Sequence, residues 1–301
     1  MPSMPQNVRT LGEMICGCTL CPRRCGVDRT AGQLGACRTH AQAVAEACPH
    51  FGEEPALVGR GGSGTIFLAG CNLTCLFCQN FNISQLPDVR AYKEECTARQ
   101  IAEMAMALQQ RGCVNINFVT PTHVAHVVAE AIVLAREAGL TVPVVYNCGG
   151  YESPEVLRLM EGLVEIYMPD FKYADAAAGL KYSGVPDYPA VASAALAEMY
   201  RQVGPLQQDA GGVATRGVLV RHLVLPGDIA RSREVIDRVA TIAPASAINV
   251  MGQYRPMHQA WRFPELQAVV TAEGLKVLRD YAVSRGLRRV DGGPCSAQPC
   301  P

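Results

Sequence analysis

Gly64-Thr65-Ile66-Phe67-Leu68-Ala69-Gly70-Cys71-Asn72-Leu73-Thr74-Cys75-Leu76-Phe77-Cys78 is the stretch that decides how the chain is read. Residues 64–70 are β-branched and apolar between glycines, the pattern of a buried strand. The cysteines begin where that strand ends. They are spaced C-x3-C-x2-C, with an aromatic residue just before the last. Three thiolates this close can hold three irons of a cubane iron–sulfur cluster and leave the fourth iron without a protein ligand. An open iron is a place for chemistry, whereas four cysteine ligands suit a structural metal or an electron carrier. The alternative is a zinc site that borrows a distant fourth ligand, although zinc sites usually show paired Cys-x2–4-Cys units.

Composition narrows the setting. With 14 cysteines among 301 residues, chance seldom yields the triad spacing. Their grouping favours metal binding in a reducing cytoplasm over disulfides. Lys+Arg and Asp+Glu are 27 each, so the net charge is zero and there is no basic excess of the kind that marks nucleic-acid binding. No apolar run reaches about 18 residues and no charged-then-apolar leader opens the chain, so no membrane partner is expected. A hydrophobic content of 49% supports a sizeable core.

Outward from the triad, strand-like and helix-like stretches alternate. Further strands are expected at 114–120, 142–148, 164–170, 217–226 and 247–254. Helices are expected within 121–139, from Ser153-Pro154 onward, twice within 173–208, after Asp228 and at 264–285. Ser153-Pro154 reads as an N-cap followed by proline at the first helical position. Such alternation implies parallel βαβ units. Three regions are expected: a Cys-rich segment at 1–60, a core at 61–286 and a flexible tail at 287–301 that carries Cys295 and Cys300.

Buried strands rarely carry polar residues without partners, yet several do here, near strand ends where a ligand would sit. Asn115, Asn117 and Thr120 lie on the second strand, Asn147 on the third, Asp170 and then Lys172 at the end of the fourth. Arg221 and His222 interrupt the fifth; Asn249, Gln253 and Tyr254 mark the sixth. Each alone reads equally as a satisfied core polar group or a cap. His50, Glu53 and Glu54 precede the first strand, as a turn or as the lining of a substrate entrance. Cys96, Cys113 and Cys148 read as buried thiols, with Cys148 at the end of the third strand.

The triad with Phe77 resembles the motif C-x3-C-x-aromatic-C of the radical S-adenosylmethionine (SAM) superfamily. The resemblance implies an α/β fold, an incomplete (β/α)6 barrel with active groups at the carboxyl ends of the strands. It implies a [4Fe-4S] cluster on Cys71, Cys75 and Cys78 whose open iron is chelated by SAM. Reduction then cleaves SAM to methionine and a 5′-deoxyadenosyl radical that abstracts hydrogen from substrate. An electron donor such as a flavodoxin or ferredoxin is implied as a partner. The candidate cofactor-binding residues are Phe77, Asn117, Thr120, Asn147, Asp170, Lys172, His222 and Gln253. Asp170-Phe171-Lys172 is similar to the Asp-x-Lys motif of glycyl-radical-enzyme activases. Cys21-Pro22-Arg23-Arg24-Cys25, His50-Phe51-Gly52-Glu53-Glu54-Pro55, Pro121-Thr122-His123 and Arg221-His222-Leu223-Val224-Leu225-Pro226 resemble a subgroup, the homologs of pyruvate formate-lyase activating enzyme. The activases usually have Gly-Gly-Glu after the second strand, where this chain has Thr120-Pro121-Thr122-His123. The substrate expected is a small molecule or a peptide side chain, or alternatively a glycine of a protein partner.

Cys18-x2-Cys21-x3-Cys25-x11-Cys37 precedes the core, flanked by Cys16 and Cys48. Four cysteines with Gly and Pro between them suit a second metal site, zinc or iron. An auxiliary iron–sulfur cluster or unliganded thiols are the alternatives. A short segment with few apolar residues needs such a staple.

Overall fold

The computed structural model describes residues 4–39, 43–88 and 95–290; most of the expected tail, with Cys295 and Cys300, lies outside them. The strands are β1 (Val44–His50), β2 (Ser63–Leu68), β3 (Ile116–Val119), β4 (Val144–Cys148), β5 (Ile166–Pro169), β6 (Gln207–Gln208), β7 (Ala214–Leu223), β8 (Ala247–Met251) and β9 (Arg288–Arg289). The helices are α1 (Gln6–Glu13), α2 (Pro55–Val58), α3 (Phe81–Ser84), α4 (Ala98–Gln110), α5 (Ala125–Glu137), α6 (Pro154–Leu159), α7 (Ala176–Ser183), α8 (Tyr188–Val203), α9 (Ser232–Ile242) and α10 (Ala272–Ser284).

All strands but β6 lie side by side in one mixed sheet of an α/β fold, in the order β1-β2-β3-β4-β5-β7-β8-β9; β6 pairs with β7 alone. Every neighbouring pair from β2 to β9 along this order is parallel. β1 joins β2 antiparallel at the other edge, and β6 is antiparallel to β7. The sheet stays open, with β1 and β9 as its edges.

Side-chain alternation splits the core in two. Val144, Tyr146, Tyr167, Val218, Val220 and Ile248 belong to the large cluster beneath the helices. Val145, Ile166, Met168, Leu219 and Ala247 face the other way and gather with Ala56 and Leu57 of α2. Burial on both faces explains why these strands read as apolar runs.

The second face is concave. Glu53 reaches Asn117 on β3 (3.4 Å) and Arg221 on β7. Those strands are three steps apart in the sheet, about 14 Å if it were flat. One carboxylate, met by the long Arg221 side chain, links both strands across this face.

Several boundaries differ from the sequence expectation. Pro264 opens only a short 3-10 turn, Pro264–Leu266. Helix α10 starts later, where the Thr271 hydroxyl accepts from Gly274 N–H at 3.1 Å. β1 lies within the Cys-rich segment, and α1 and α4 stand where the sequence reading placed no element. Thr97 and Gln100 cap α4 reciprocally, a capping box.

Candidate functional site

The triad loop leaves the carboxyl end of β2 at Gly70, whose φ of +86° suits glycine. A Cβ there would meet Thr39 Oγ1 at 2.5 Å, His123 Nε2 at 3.0 Å and the Cys37 carbonyl at 3.2 Å. Each thiol has a donor in reach. Leu73 N–H points at Cys71 Sγ (3.4 Å), Ser183 Oγ lies 3.0 Å from Cys75 Sγ, and Ser84 Oγ lies 3.2 Å from Cys78 Sγ. Burial pushes the Cys71 thiol up, and the neighbouring Cys75 and Cys78 add to it. Burial also raises Cys75, while Lys172 pulls the other way.

The structure brings Asp170 and Lys172 to the triad. Lys172 Nζ donates to Asp170 Oδ2 at 2.5 Å. Burial opposes the ammonium charge, but Asp170 and Cys75 outweigh it and hold the lysine pKa well above its usual range. Asp170 continues the concave face of β5 and bridges to Arg221. Asn147, one residue before the end of β4, pairs with Val119. Its carbonyl accepts from Thr120 N–H at 2.8 Å, and Thr120 sits at φ +61°, a left-handed conformation rare for a β-branched residue. Backbone outliers of this kind gather at ligand sites.

The chain after β8 closes on the same loop. Gln253 offers its carbonyl to Gln79 Nε2 at 3.4 Å, and Gln259 N–H donates to the Leu76 carbonyl at 2.8 Å. Tyr254 meets Phe77 edge-on at 6.0 Å. Phe77 is buried within the core and packs beneath the loop.

His222 stands elsewhere. It lies on the helix-facing side of β7, fully buried. Its ring bonds the Phe171 carbonyl (2.7 Å) and Ser232 Oγ (2.9 Å). Burial lowers it to about 4 despite the Phe171 bond. This is a neutral strut between β5, β7 and α9.

The polar residues before the first core strand enter the concave face. Arg221 donates Nε to Glu54 Oε1 (2.8 Å), Nη2 to Glu54 Oε2 (2.6 Å) and Nη2 to Glu53. Asn249 Nδ2 donates to Glu54 Oε1 at 2.8 Å, and His50 Nδ1 lies 3.5 Å from Glu53 Oε1. Burial opposes ionisation of Glu53, but Arg221 and His50 overcome it and hold its pKa at about 2. Asn115, by contrast, is structural: Nδ2 donates to the Leu57 carbonyl (2.7 Å) and Oδ1 accepts from Ser63 (2.7 Å).

The Cys18–Cys37 loop packs directly on the triad loop. Arg23 donates Nε to the Asn72 carbonyl and Nη1 to the Gly184 carbonyl, both at 2.9 Å. Burial pushes Cys21 up to about 12; the Arg23 backbone N–H opposes this, and Cys37, Cys25 and Cys18 add to it. Among the described residues no group of three or more His, Cys, Asp or Glu stands ready to hold a single metal ion. Ligands to three different irons of a cubane do not converge on one point, so the triad's donor set stays compatible with a cluster.

Three contributors escape sequence reasoning. Ser183 and Ser84 are ordinary serines whose role depends on folding. Glu152 is buried and accepts from Thr122 Oγ1 (2.5 Å) and Tyr146 OH (3.2 Å). Burial raises it to about 7, although both bonds act to lower it.

Fold and site together define an α/β protein with an open, mostly parallel sheet and a cysteine triad at one strand end. No family model matches the chain. It is similar to Uncharacterized protein MJ0674 of Methanocaldococcus jannaschii, 29% identical over 268 residues, covering 88% of this chain and 74% of that protein. Over a shorter stretch it is similar to Uncharacterized protein MJ0808 of the same organism, 31% identical over 96 residues, 32% of this chain and 28% of that protein.

Proposed function

We propose that the protein is a radical SAM enzyme whose strands β2, β3, β4, β5, β7 and β8 form the incomplete (β/α)6 barrel of that class. The observation that carries the reading is the triad: three thiols at the carboxyl end of β2, each beside an N–H or O–H group, with Lys172 acting on Cys75. Donors to sulfur suit cluster thiolates and tune their potential. Cys71, Cys75 and Cys78 would hold a [4Fe-4S] cluster, which supplies an open iron for SAM and the electron for its reductive cleavage.

The chain's own residues set the conditions for that chemistry. Lys172, already neutralised by Asp170, offers two further ammonium N–H donors to a carboxylate beside Cys75. Thr120, just after β3, and Asn147, near the end of β4, would supply polar contacts at the same rim. Phe77 and Tyr254 pack behind the triad loop and exclude water from it. Below the rim, Glu53, Glu54, Arg221, Asn117 and Asn249 line the concave face with fixed charges. That lining favours a compact polar substrate, a small molecule or a peptide side chain. A flavodoxin- or ferredoxin-type donor in the cytoplasm would supply the electron. Among the described residues no helix is long and apolar enough to cross a membrane.

The test is anaerobic reconstitution with iron and sulfide, reduction with dithionite, and mass analysis of the products of SAM. The reading predicts 5′-deoxyadenosine and methionine from the wild type and neither from Cys75→Ala. Equal product from both would overturn it.

A further inference from the structure

The triad loop is covered on two flanks. Arg23 holds the Asn72 carbonyl at 2.9 Å, and the N–H groups of Thr74 and Leu76 donate to the carbonyls of Ser183 (3.2 Å) and Tyr182 (2.9 Å). The Cys78 flank meets solvent between α3 and the chain after β8. Ser84 of α3 lies 3.2 Å from Cys78 Sγ, and Phe81 at the start of α3 stacks on His258 with ring centroids 5.0 Å apart. Gln259 N–H donates to the Leu76 carbonyl at 2.8 Å, so the segment that carries His258 is fastened to the triad loop. Ala260 N–H bonds the Met257 carbonyl and Arg262 N–H the Gln259 carbonyl, both at 3.0 Å, and these tight turns put Met257 and Trp261 close together. Trp261, the single tryptophan of the chain, is 72% exposed, and Met257 and Phe81 are exposed with it. One exposed apolar side chain is ordinary; a group of them beside a functional loop is not.

Charge on this flank is one-sided. Residues 71–87 and 251–264 contain no Asp or Glu, in a chain whose net charge is zero. They contain Arg255 and Arg262, both exposed. Among the described residues neither guanidinium pairs with a carboxylate; Arg262 Nη1 donates to Gln259 Oε1 at 3.0 Å. Glu265, the next acid along the chain, already accepts from Lys181 Nζ (2.5 Å) and Tyr182 OH (2.8 Å). Aromatic residues, Met and Arg are the side chains enriched in protein interfaces, and arginines without local counter-ions favour an acidic partner.

We propose that this flank is the docking face for an acidic one-electron carrier protein of the flavodoxin type, with Trp261 as its apolar anchor and Arg255 and Arg262 as its charge guides. The inference rests on the radical SAM reading, in which each SAM cleaved needs one electron at the triad. That electron leaves the anionic flavin hydroquinone of the carrier, which becomes the neutral semiquinone, and reduces the cluster on Cys71, Cys75 and Cys78 by one. No proton has to cross the interface. The Cys78 flank is where a carrier can come close to the triad, because Arg23 and residues 182–184 occupy the others.

The test reads binding and electron delivery separately. Calorimetry measures the affinity of oxidised flavodoxin for the reconstituted full chain; SAM cleavage is then driven either by reduced flavodoxin or by dithionite, which needs no docking face. Wild-type affinity should fall as salt rises. The double variant Arg255→Glu/Arg262→Glu should bind about 10- to 100-fold more weakly, and Trp261→Ser about 10-fold. Flavodoxin-driven cleavage should fall in step, while dithionite-driven cleavage stays at the wild-type level and shows that fold and triad are intact. No flavodoxin binding by the wild type, or unchanged affinity in both variants, would overturn the proposal. So would a wild-type dimer that Trp261→Ser converts to monomer at unchanged flavodoxin affinity, because the face then belongs to a second copy of the chain. A wild type that binds flavodoxin through these residues but cleaves no SAM with dithionite would uphold the docking face and sink the radical reading.

Discussion

Two cysteine loops lie against each other in this molecule, and their cations differ. At the rim, Lys172 is paired with Asp170 at 2.5 Å, so its charge is compensated whatever the triad thiols do. In the N-terminal loop no carboxylate among the described residues pairs with Arg29, and Cys18 Sγ lies 4.0 Å from its Nη1. The rim cation already has its counter-ion, whereas the buried one is held by the His123 carbonyl at 2.6 Å. On the proposed reading, chemistry belongs to Cys71, Cys75 and Cys78, and the Cys18–Cys37 loop supports them by packing on the triad loop.

Exchanging one thiol in each loop tests that division most strongly. Cys78→Ala should bring SAM cleavage to the uncatalysed background with little change in melting temperature. Cys25→Ala should lower the melting temperature and spare part of the cleavage. The reverse pattern, read by product analysis and calorimetry, would exchange the two roles.

A smaller effect is expected in the concave face, where one guanidinium serves two buried carboxylates. Arg221→Met leaves Glu53 and Glu54 buried without their cation, and should cost about 3–5 kcal/mol in urea unfolding. A loss under about 1 kcal/mol would mean that water already serves those carboxylates.

Glu152 carries a pH signature. Its folded pKa is about 7 against an ordinary 4.5, so its ionisation opposes folding. The penalty is absent below pH 4.5 and grows until the pH passes 7. Glu152→Gln should therefore match the wild type in acid and exceed it by up to about 3 kcal/mol at pH 8. A pH-independent difference would contradict the assigned ionisation.

Least affected should be His222→Gln, at about 1–2 kcal/mol for a lost strut. Its SAM cleavage should be unchanged, because the ring faces α9 and not the rim. Abolished cleavage in a folded variant would return His222 to the cofactor-binding residues.

Much of the sheet was legible because its central strands are buried on both faces. The runs at 114–120, 142–148, 164–170 and 247–254 contain β3, β4, β5 and β8. β1 was not legible: Cys48-Pro49 breaks its pattern, and proline is tolerated there only because the strand is at an edge. β7 begins before its expected start, since Gly217 with φ +119° reads as a boundary but lies within the strand. At the site, the triad and Asp170-Phe171-Lys172 were legible because each is a local pattern. Ser183, Ser84 and Arg29 were not, since their contacts join residues far apart in the chain or depend on burial.

The central claim is an iron at the triad that SAM can reach. The most direct measurement is electron paramagnetic resonance of the reduced, reconstituted full chain with and without SAM. The account predicts a cluster signal that changes shape when SAM is added and is missing from Cys75→Ala. A signal indifferent to SAM, or one that survives in Cys75→Ala with the same response, would contradict it.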